Sequence, residues 1–249
     1  ADPIIIPTLQ EQHYNEKIMR LPSPFLCNDA TRDLSEQPIT RSSAGLPDQG
    51  FVLCCFNNNY KIRPAEFNIW IRLLLKIEGS VLWMRQSNKW SAANLRQEAE
   101  KRGVDGSRLV FAARAPIDEH LSRHKLADIF VDTFNFNAHT TGSDALWGGL
   151  PVVTKLGKSM VARVSGSLLT AVGLPELITN TEEEYEALIY ALATDPNRLA
   201  AVKSKLAQNR LSTPLFNSER YTKHLEQGYQ QAYQRYFDGM SPEHITVSE

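Results

Sequence analysis

The chain has 249 residues, of which 42% are hydrophobic and 22% charged, and a formal net charge of −1. That length supports one large domain or two small ones with a sizeable core. The near-neutral balance gives no electrostatic reason to expect nucleic acid or an anionic membrane as partner, and no apolar run approaches a membrane span.

The first fifty residues differ in texture from the rest. Ile4-Ile-Ile6, between Pro3 and Pro7, has the composition of a short buried strand with nothing before it to pair with. Residues 28–50 are rich in Asp, Ser, Pro and Gly with little periodicity, which is linker composition. A leading strand, a linker and then a regular domain read as the tail of a preceding domain (1–27), a linker (28–50) and the domain proper (51–249) of a longer protein. The start carries no basic-then-apolar signal pattern.

From Phe51 the pattern becomes regular. Phe51–Phe56 is a strand, and Pro64 opens a helix that presents Trp70, Leu73, Leu74 and Ile77 on one face. Ser80–Met84 is a second strand, followed by a helix over Ala92–Arg102 that Gly103 closes. Arg108–Ala112 is a third strand and Pro116–His124 a short helix. Ile129–Thr133 is a fourth, feeding a helix over Thr140–Trp147. Pro151–Thr154 is a fifth, followed by a helix from about Met160 to Val172. Strands alternating with helices predict an α/β fold, a Rossmann-like parallel sheet with helices on both faces. Beyond it the chain is helical. Thr181-Glu-Glu-Glu184 makes a capping-box start, a second helix covers Pro196–Leu211, and a third covers Ser218–Phe237. Tyr221, Leu225, Ala232 and Tyr236 line up on that last helix, Tyr229 and Tyr233 widen the stripe, and such a stripe is expected in the core. Cys54 and Cys55, adjacent in the first strand, read as small buried hydrophobes rather than a disulfide or a zinc site. A reducing cytoplasm is the plain inference.

In an open sheet of this kind ligands bind at the carboxyl ends of the strands, and there the chain places polar clusters. The first strand is followed by Asn57-Asn-Asn-Tyr-Lys61, which puts Lys61 at the mouth of the sheet, as a partner for a diphosphate or as an exposed loop lysine. The third is followed by Ala115 and by His120 and Arg123, which share a helical face whether they meet a base or only solvent. The fourth is followed by His139, Thr140 and Thr141 at a helix start, where free N–H groups and the helix dipole suit a phosphate. Asp144 lies one turn further along the same face, placed for two sugar hydroxyls. The same spacing fits a simple capping threonine and a solvated aspartate.

Absences narrow the chemistry. No G-x-G-x-x-G follows the first strand, no Walker pattern or G-x-S-x-G elbow occurs, and Asp-x-Asp is missing. Sugar-nucleotide enzymes that use a divalent ion usually need a close carboxylate pair. Charge on a leaving diphosphate would here be met by Lys61 and a helix N-terminus instead.

Phe56-Asn-Asn-Asn-Tyr-Lys-Ile62, the Ala115-Pro…His120…Arg123 segment, Asp132-Thr133 and Asn137-Ala-His-Thr-Thr…Asp144-x-Leu-Trp147 resemble the C-terminal catalytic lobe of the O-GlcNAc transferases, the SPINDLY-like glycosyltransferases of GT-B fold. The likeness continues through Ser212-Thr-Pro-Leu-Phe-Asn217 and Gly239-x-x-Pro-x-His-Ile245, so it covers nearly the whole chain in order. The resemblance implies the donor-binding lobe of a metal-independent, inverting enzyme that moves N-acetylglucosamine from UDP-GlcNAc to protein Ser or Thr hydroxyls, with no cofactor. By position, Lys61 would be the catalytic residue on the donor diphosphate, with Thr140 and Thr141 capping it from the helix end. Asp144 would hold the ribose, His120, Arg123 and the Ala115 backbone would meet the uracil, and His139 would line the pocket. Asn58 stands where the animal enzymes have glutamine, and Ile117 where they have lysine. The array of tetratricopeptide repeats and most of the opposing lobe, which would hold the protein acceptor, lie outside this sequence. The chain alone is therefore expected to bind donor without transferring its sugar. A relative using UDP-glucose or GDP-fucose, or a sugar-nucleotide-binding module without transfer activity, would share these features.

Overall fold

The computed structural model describes residues 1–249. Its main sheet has six parallel strands. They are β2 (Val52–Cys55), β3 (Val81–Arg85), β4 (Leu109–Ala112), β5 (Ile129–Val131), β6 (Val152–Lys155) and β7 (Ile178–Thr179), in the spatial order β4-β3-β2-β5-β6-β7. A separate two-stranded ladder joins β1 (Met19–Arg20) to β8 (Ile245–Thr246), also in parallel. The strands of the main sheet are short and apolar because both faces are covered, so hardly a position in them looks at water.

The chain starts in the middle of the sheet at β2, winds outward through α1 (Pro64–Lys76), β3, α2 (Lys89–Glu100) and β4, and then returns by α3 (Ile117–Arg123) to β5. From there it winds the other way through α4 (Thr140–Trp147), β6, α5 (Val164–Ala171) and β7. The boundary between β2 and β5 is thus the point where the winding reverses, and the loops leaving both strands open into one crevice. Helices cover both faces. α1 packs on β3 and on α6 (Glu182–Thr194), whereas α3, α4 and α5 follow one another in contact. The fold expected from the alternation of strands and helices is the one found. Thr181 and Glu184 form the predicted capping box, each side chain accepting from the other's backbone N–H.

α7 (Pro196–Asn209) and α8 (Ser218–Phe237) complete the helical end. The tyrosine stripe on α8 is not core. Tyr229, Tyr233 and Tyr236 are 59, 63 and 75% exposed. The helix turns inward by His224 and Gly228 instead, because Gly228 lies against Met19 at the start of the β1–β8 ladder, where a Cβ would come within 2.4 Å of the Met19 Sδ. Two further expectations are corrected. Ile4–Ile6 is a turn, not a strand, because the buried Asp2 carboxylate accepts from the backbone N–H of both Ile4 and Ile5 at 2.9 Å. The helix expected from Met160 begins only at Val164. Arg163 breaks the run to donate to the Ile4 carbonyl at 2.6 Å and the Gly157 carbonyl at 2.9 Å. β7 has only two residues, too few for a pattern to show in the sequence.

At the end of α4, Gly148 lets the helix settle directly on α3: a Cβ there would meet the Leu121 carbonyl oxygen at 2.6 Å and the His124 Cβ at 2.8 Å. Neither neighbour is a flexible side-chain tip. Gly148→Ala is therefore expected to destabilise the fold by about 1–3 kcal/mol, which thermal denaturation would register as a loss of roughly 2–4 °C per kcal/mol. An unchanged melting temperature would contradict the close contact.

Candidate functional site

The crevice at the reversal point is built around a wholly buried carboxylate. Asp132, the first residue after β5, accepts from Asn57 Nδ2 at 3.1 Å, from the Thr133 and Ala138 backbone N–H groups at 2.8 and 2.7 Å, and from Thr154 Oγ1 at 2.7 Å. Burial pushes its pKa up, and these donors oppose that shift. Asn57 in turn donates to Thr133 Oγ1 and accepts from Thr141 Oγ1 at 2.6 Å, so the first turn of α4 is tied to the end of β2.

Lys61 ends a short 3-10 turn after β2. It is no exposed loop lysine: it is 9% exposed, donates from Nζ to the Asn137 carbonyl at 2.9 Å, and holds Nζ 4.0 Å from the centre of the Phe136 ring. Burial lowers its pKa, with the Asp132 charge acting in the opposite direction. His139 is the N-cap residue of α4 but makes no capping bond through its side chain. Its ring stacks on Phe136 at 4.7 Å and is held neutral mainly by burial, with Lys61 adding to the effect. Thr140 is exposed and caps nothing. The backbone N–H groups of Thr140 and Thr141 have no acceptor, whereas those of Gly142 and Ser143 bond to the His139 carbonyl. Two free N–H donors and a lysine ammonium thus sit at the positive end of a helix, an arrangement that receives an anion.

An open cleft of about 680 Å³ extends from Thr141 toward the α3 side, between Phe56, Arg85, Ala115, His120 and Arg123. Arg123 donates to His120 Nδ1 at 2.5 Å and to the Ala113 carbonyl at 2.7 Å, and its guanidinium lies 4.5 Å from the Phe56 ring centre. A ring that accepts at Nδ1 carries its proton on Nε2, so neutral His120 offers an N–H to the cleft side of the pair. Arg85, at the end of β3, hydrogen-bonds Asn58. Of the residues expected from the sequence, Ala115, His120, Arg123 and Thr141 line this cleft, and Asn58 touches it through Arg85. Lys61, His139, Thr140 and Asp144 belong to the α4 end rather than to its walls.

Asp144 is not a solvated aspartate. Arg32, from the stretch before β2, forms an ion pair with it, and the two side chains are only 19% and 14% exposed. Burial raises the pKa of this carboxyl and Arg32 opposes the rise. Neither Arg32 nor Arg85 stood out in the sequence. Arg85 had a usable signal, since it closes a strand at the ligand-binding rim. Arg32 had none, because its partner lies far off along the chain in a different element. No group of three His, Cys, Asp or Glu side chains is placed to hold a metal ion, and no helix is long and apolar enough to cross a membrane.

The parallel sheet, covered by helices on both faces, has GT-B glycosyltransferases as its structural neighbours. The chain belongs to glycosyl transferase family 41, whose profile matches residues 31–225. It is 35% identical over 256 residues to SEC of Arabidopsis thaliana, named as a probable UDP-N-acetylglucosamine–peptide N-acetylglucosaminyltransferase, an alignment that covers 100% of this chain and 26% of that protein. It is 39% identical to the UDP-N-acetylglucosamine–peptide N-acetylglucosaminyltransferase of Caenorhabditis elegans, over 83% of this chain and 18% of that one. Among solved structures, a variant of the Thermobaculum terrenum O-GlcNAc transferase superposes with a TM-score of 0.83 at 29% identity, covering 93% of this chain and 44% of its own. The sucrose-phosphate synthase of Thermosynechococcus elongatus shares the fold, with a TM-score of 0.59 at 16% identity. The chain spans 26% and 18% of the length of the first two relatives.

His120 at the cleft wall and His124 packed against it set a pH dependence. Burial is the main cause that pushes His124 down to about 3 and His120 to about 4, with neighbouring positive charge adding to both. Both rings stay neutral in the folded chain at a pH where an unfolded chain, with histidine pKa near 6.5, binds protons. The unfolded state then holds more protons, so their contribution to stability is full above about pH 6.5 and is lost as pH falls toward about 4. His124→Leu is expected to flatten this fall in thermal melts taken across the window. Parallel losses in both proteins would assign the acid sensitivity elsewhere.

Proposed function

We propose that this chain is the donor-binding lobe of a metal-independent, inverting protein O-GlcNAc transferase. The whole protein would take N-acetylglucosamine from UDP-GlcNAc and place it on Ser or Thr hydroxyls. The observation that carries the reading is the pairing of a buried Lys61 ammonium with the free N–H groups of Thr140 and Thr141 at one helix end. A nucleoside diphosphate laid there would have its phosphates on these donors. In the transfer step the acceptor hydroxyl gives its proton to a base outside this chain as its oxygen bonds to the anomeric carbon and the bond from that carbon to the β-phosphate oxygen breaks. The electron pair goes to the phosphate, where Lys61 and the helix end meet the new charge. The names of the relatives, which specify UDP-N-acetylglucosamine and a peptide, support the donor and the class of acceptor.

The rest of the donor follows the cleft. With the diphosphate on α4, Asp144 takes the ribose, His139 borders the sugar, and the base lies toward Ala115, His120 and Arg123, with Asn58 held to the rim by Arg85. The cleft walls offer donors, from Arg85, Arg114, Arg123 and neutral His120, and no carboxylate. Uracil presents two carbonyl acceptors, which suits such walls. Uracil adds one N3–H and guanine an N1–H and an amino group, and for these donors the walls offer only the Thr141 hydroxyl and backbone carbonyls, which favours the base with fewer of them. Three unpaired cysteines fit the reducing cytoplasm as the compartment.

Calorimetric titration tests this reading. UDP is expected to bind, GDP to bind poorly, and EDTA to leave UDP affinity unchanged. A charge-assisted contact to phosphate contributes about 1.5–3 kcal/mol, so Lys61→Ala is expected to weaken UDP by roughly ten- to a hundred-fold. Uridine, which has no phosphate to lose, would be little affected. Equal losses for uridine and UDP would make the lysine structural, and a preference for GDP would point to a fucosyl donor.

A further inference from the structure

We infer that Arg32 is a positioning residue for the donor site: it fixes the Asp144 carboxylate so that one oxygen faces the vicinal diol of the nucleotide ribose. The inference rests on the nucleotide reading above and adds to it a residue from the stretch before β2. Asp144 lies one turn inside α4, and an aspartate there can swing between rotamers. Arg32 Nη1 bonds to Oδ1, while Oδ2 receives no hydrogen bond from the protein. An anionic oxygen with two lone pairs can accept from two adjacent hydroxyls.

Arg32 is itself held from several sides, which separates a positioning group from a casual surface ion pair. Its Nε donates to the Asp29 carbonyl at 3.1 Å, and the Asp29 carboxylate accepts from the Thr31 N–H and hydroxyl, both at 2.7 Å, making a tight local turn. The Arg32 carbonyl accepts from Trp147 Nε1 at 3.1 Å, and its guanidinium lies 5.6 Å from the centre of the Trp147 ring. Arg210 also approaches that ring, at 5.3 Å, and donates to the Trp147 carbonyl at 2.6 Å. Trp147 closes the helix that carries Asp144. Both members of the pair are thus anchored to α4, and the carboxylate keeps one orientation in a half-buried setting.

The test is titration of the chain with UDP, 2′,3′-dideoxy-UDP and inorganic pyrophosphate. The intact protein is expected to favour UDP over the dideoxy analogue by roughly ten- to a hundred-fold, the size of hydrogen bonds to a charged group. Arg32→Gln is expected to lose most of that preference with pyrophosphate affinity unchanged, and Arg32→Lys to restore part of it. If Arg32→Gln keeps the preference, binds UDP more tightly, or loses pyrophosphate to the same extent, the positioning role is overturned. Should Arg32→Gln fail to fold, Arg32→Lys decides: an intermediate preference supports the role, and an unaltered one overturns it. Absence of UDP binding in the intact protein would overturn the nucleotide reading and this inference with it.

Discussion

The crevice depends on one buried charge. A carboxylate with no exposure to water is costly unless donors surround it, and Asp132 meets that demand by drawing in four donors from three places. Asn57 comes from the end of β2, Thr133 and Ala138 from the loop before α4, and Thr154 from β6. The backbone of the same residue is held too, since the Tyr185 hydroxyl donates to its carbonyl at 3.0 Å and accepts from Trp70 Nε1 at 3.1 Å. The central strands, the loop and the two helices of the opposite face are therefore fixed to one point. Asn57, Thr133 and Ala138 share Oδ1, whereas Thr154 is the donor to Oδ2, so removing the Thr154 hydroxyl would leave a buried oxygen short of its partner.

That constraint explains how the α4 end stays open to a ligand. The loop from Thr133 to His139 has its own polar groups bonded inward. Asn137 Nδ2 donates to the Thr133 carbonyl, Thr133 Oγ1 to the Phe136 carbonyl, and the Ala138 N–H to Asp132. The His139 side chain does not cap α4 either, and the Thr140 and Thr141 N–H groups stay free. Lys61 is held over the same loop by the Asn137 carbonyl. The cation and the helix end are prearranged by the carboxylate beneath them, so little reorganisation is needed when an anion arrives.

How much of this the sequence discloses depends on the range of the interaction. The first five strands from Phe51 onward, the capping box at Thr181 and the limits of α8 are local matters of composition and spacing, and they read correctly. The rim clusters are legible for the same reason, because each follows its own strand. Which side of α8 faces inward is a tertiary matter: its tyrosines have the spacing of a core face, and only the contact between Gly228 and Met19 shows that they are not. Ile4–Ile6 has the composition of a strand, yet one buried aspartate two residues before it commands a turn. Arg32 lies in a stretch with no period at all, and its meaning comes wholly from Asp144 and Trp147 in α4.

The charges of the site are divided by position. At the α4 end one lysine, one neutral histidine and backbone N–H groups face the place for an anion. On the α3 side the cleft is bordered by three arginines and a histidine kept neutral. Positive groups this close repel one another, and the protein manages this with acceptors that carry no net charge. Arg123 is bound by the Ala113 carbonyl and His120, Arg85 by Asn58, and Lys61 by the Asn137 carbonyl. A carboxylate at any of these places would quench the field that an anionic ligand needs, whereas a carbonyl or an amide orients the cation and leaves its charge available. Asp144, the acid on α4, is paired with Arg32 outside this set, so its charge is balanced locally and is not set against Lys61 and the helix end.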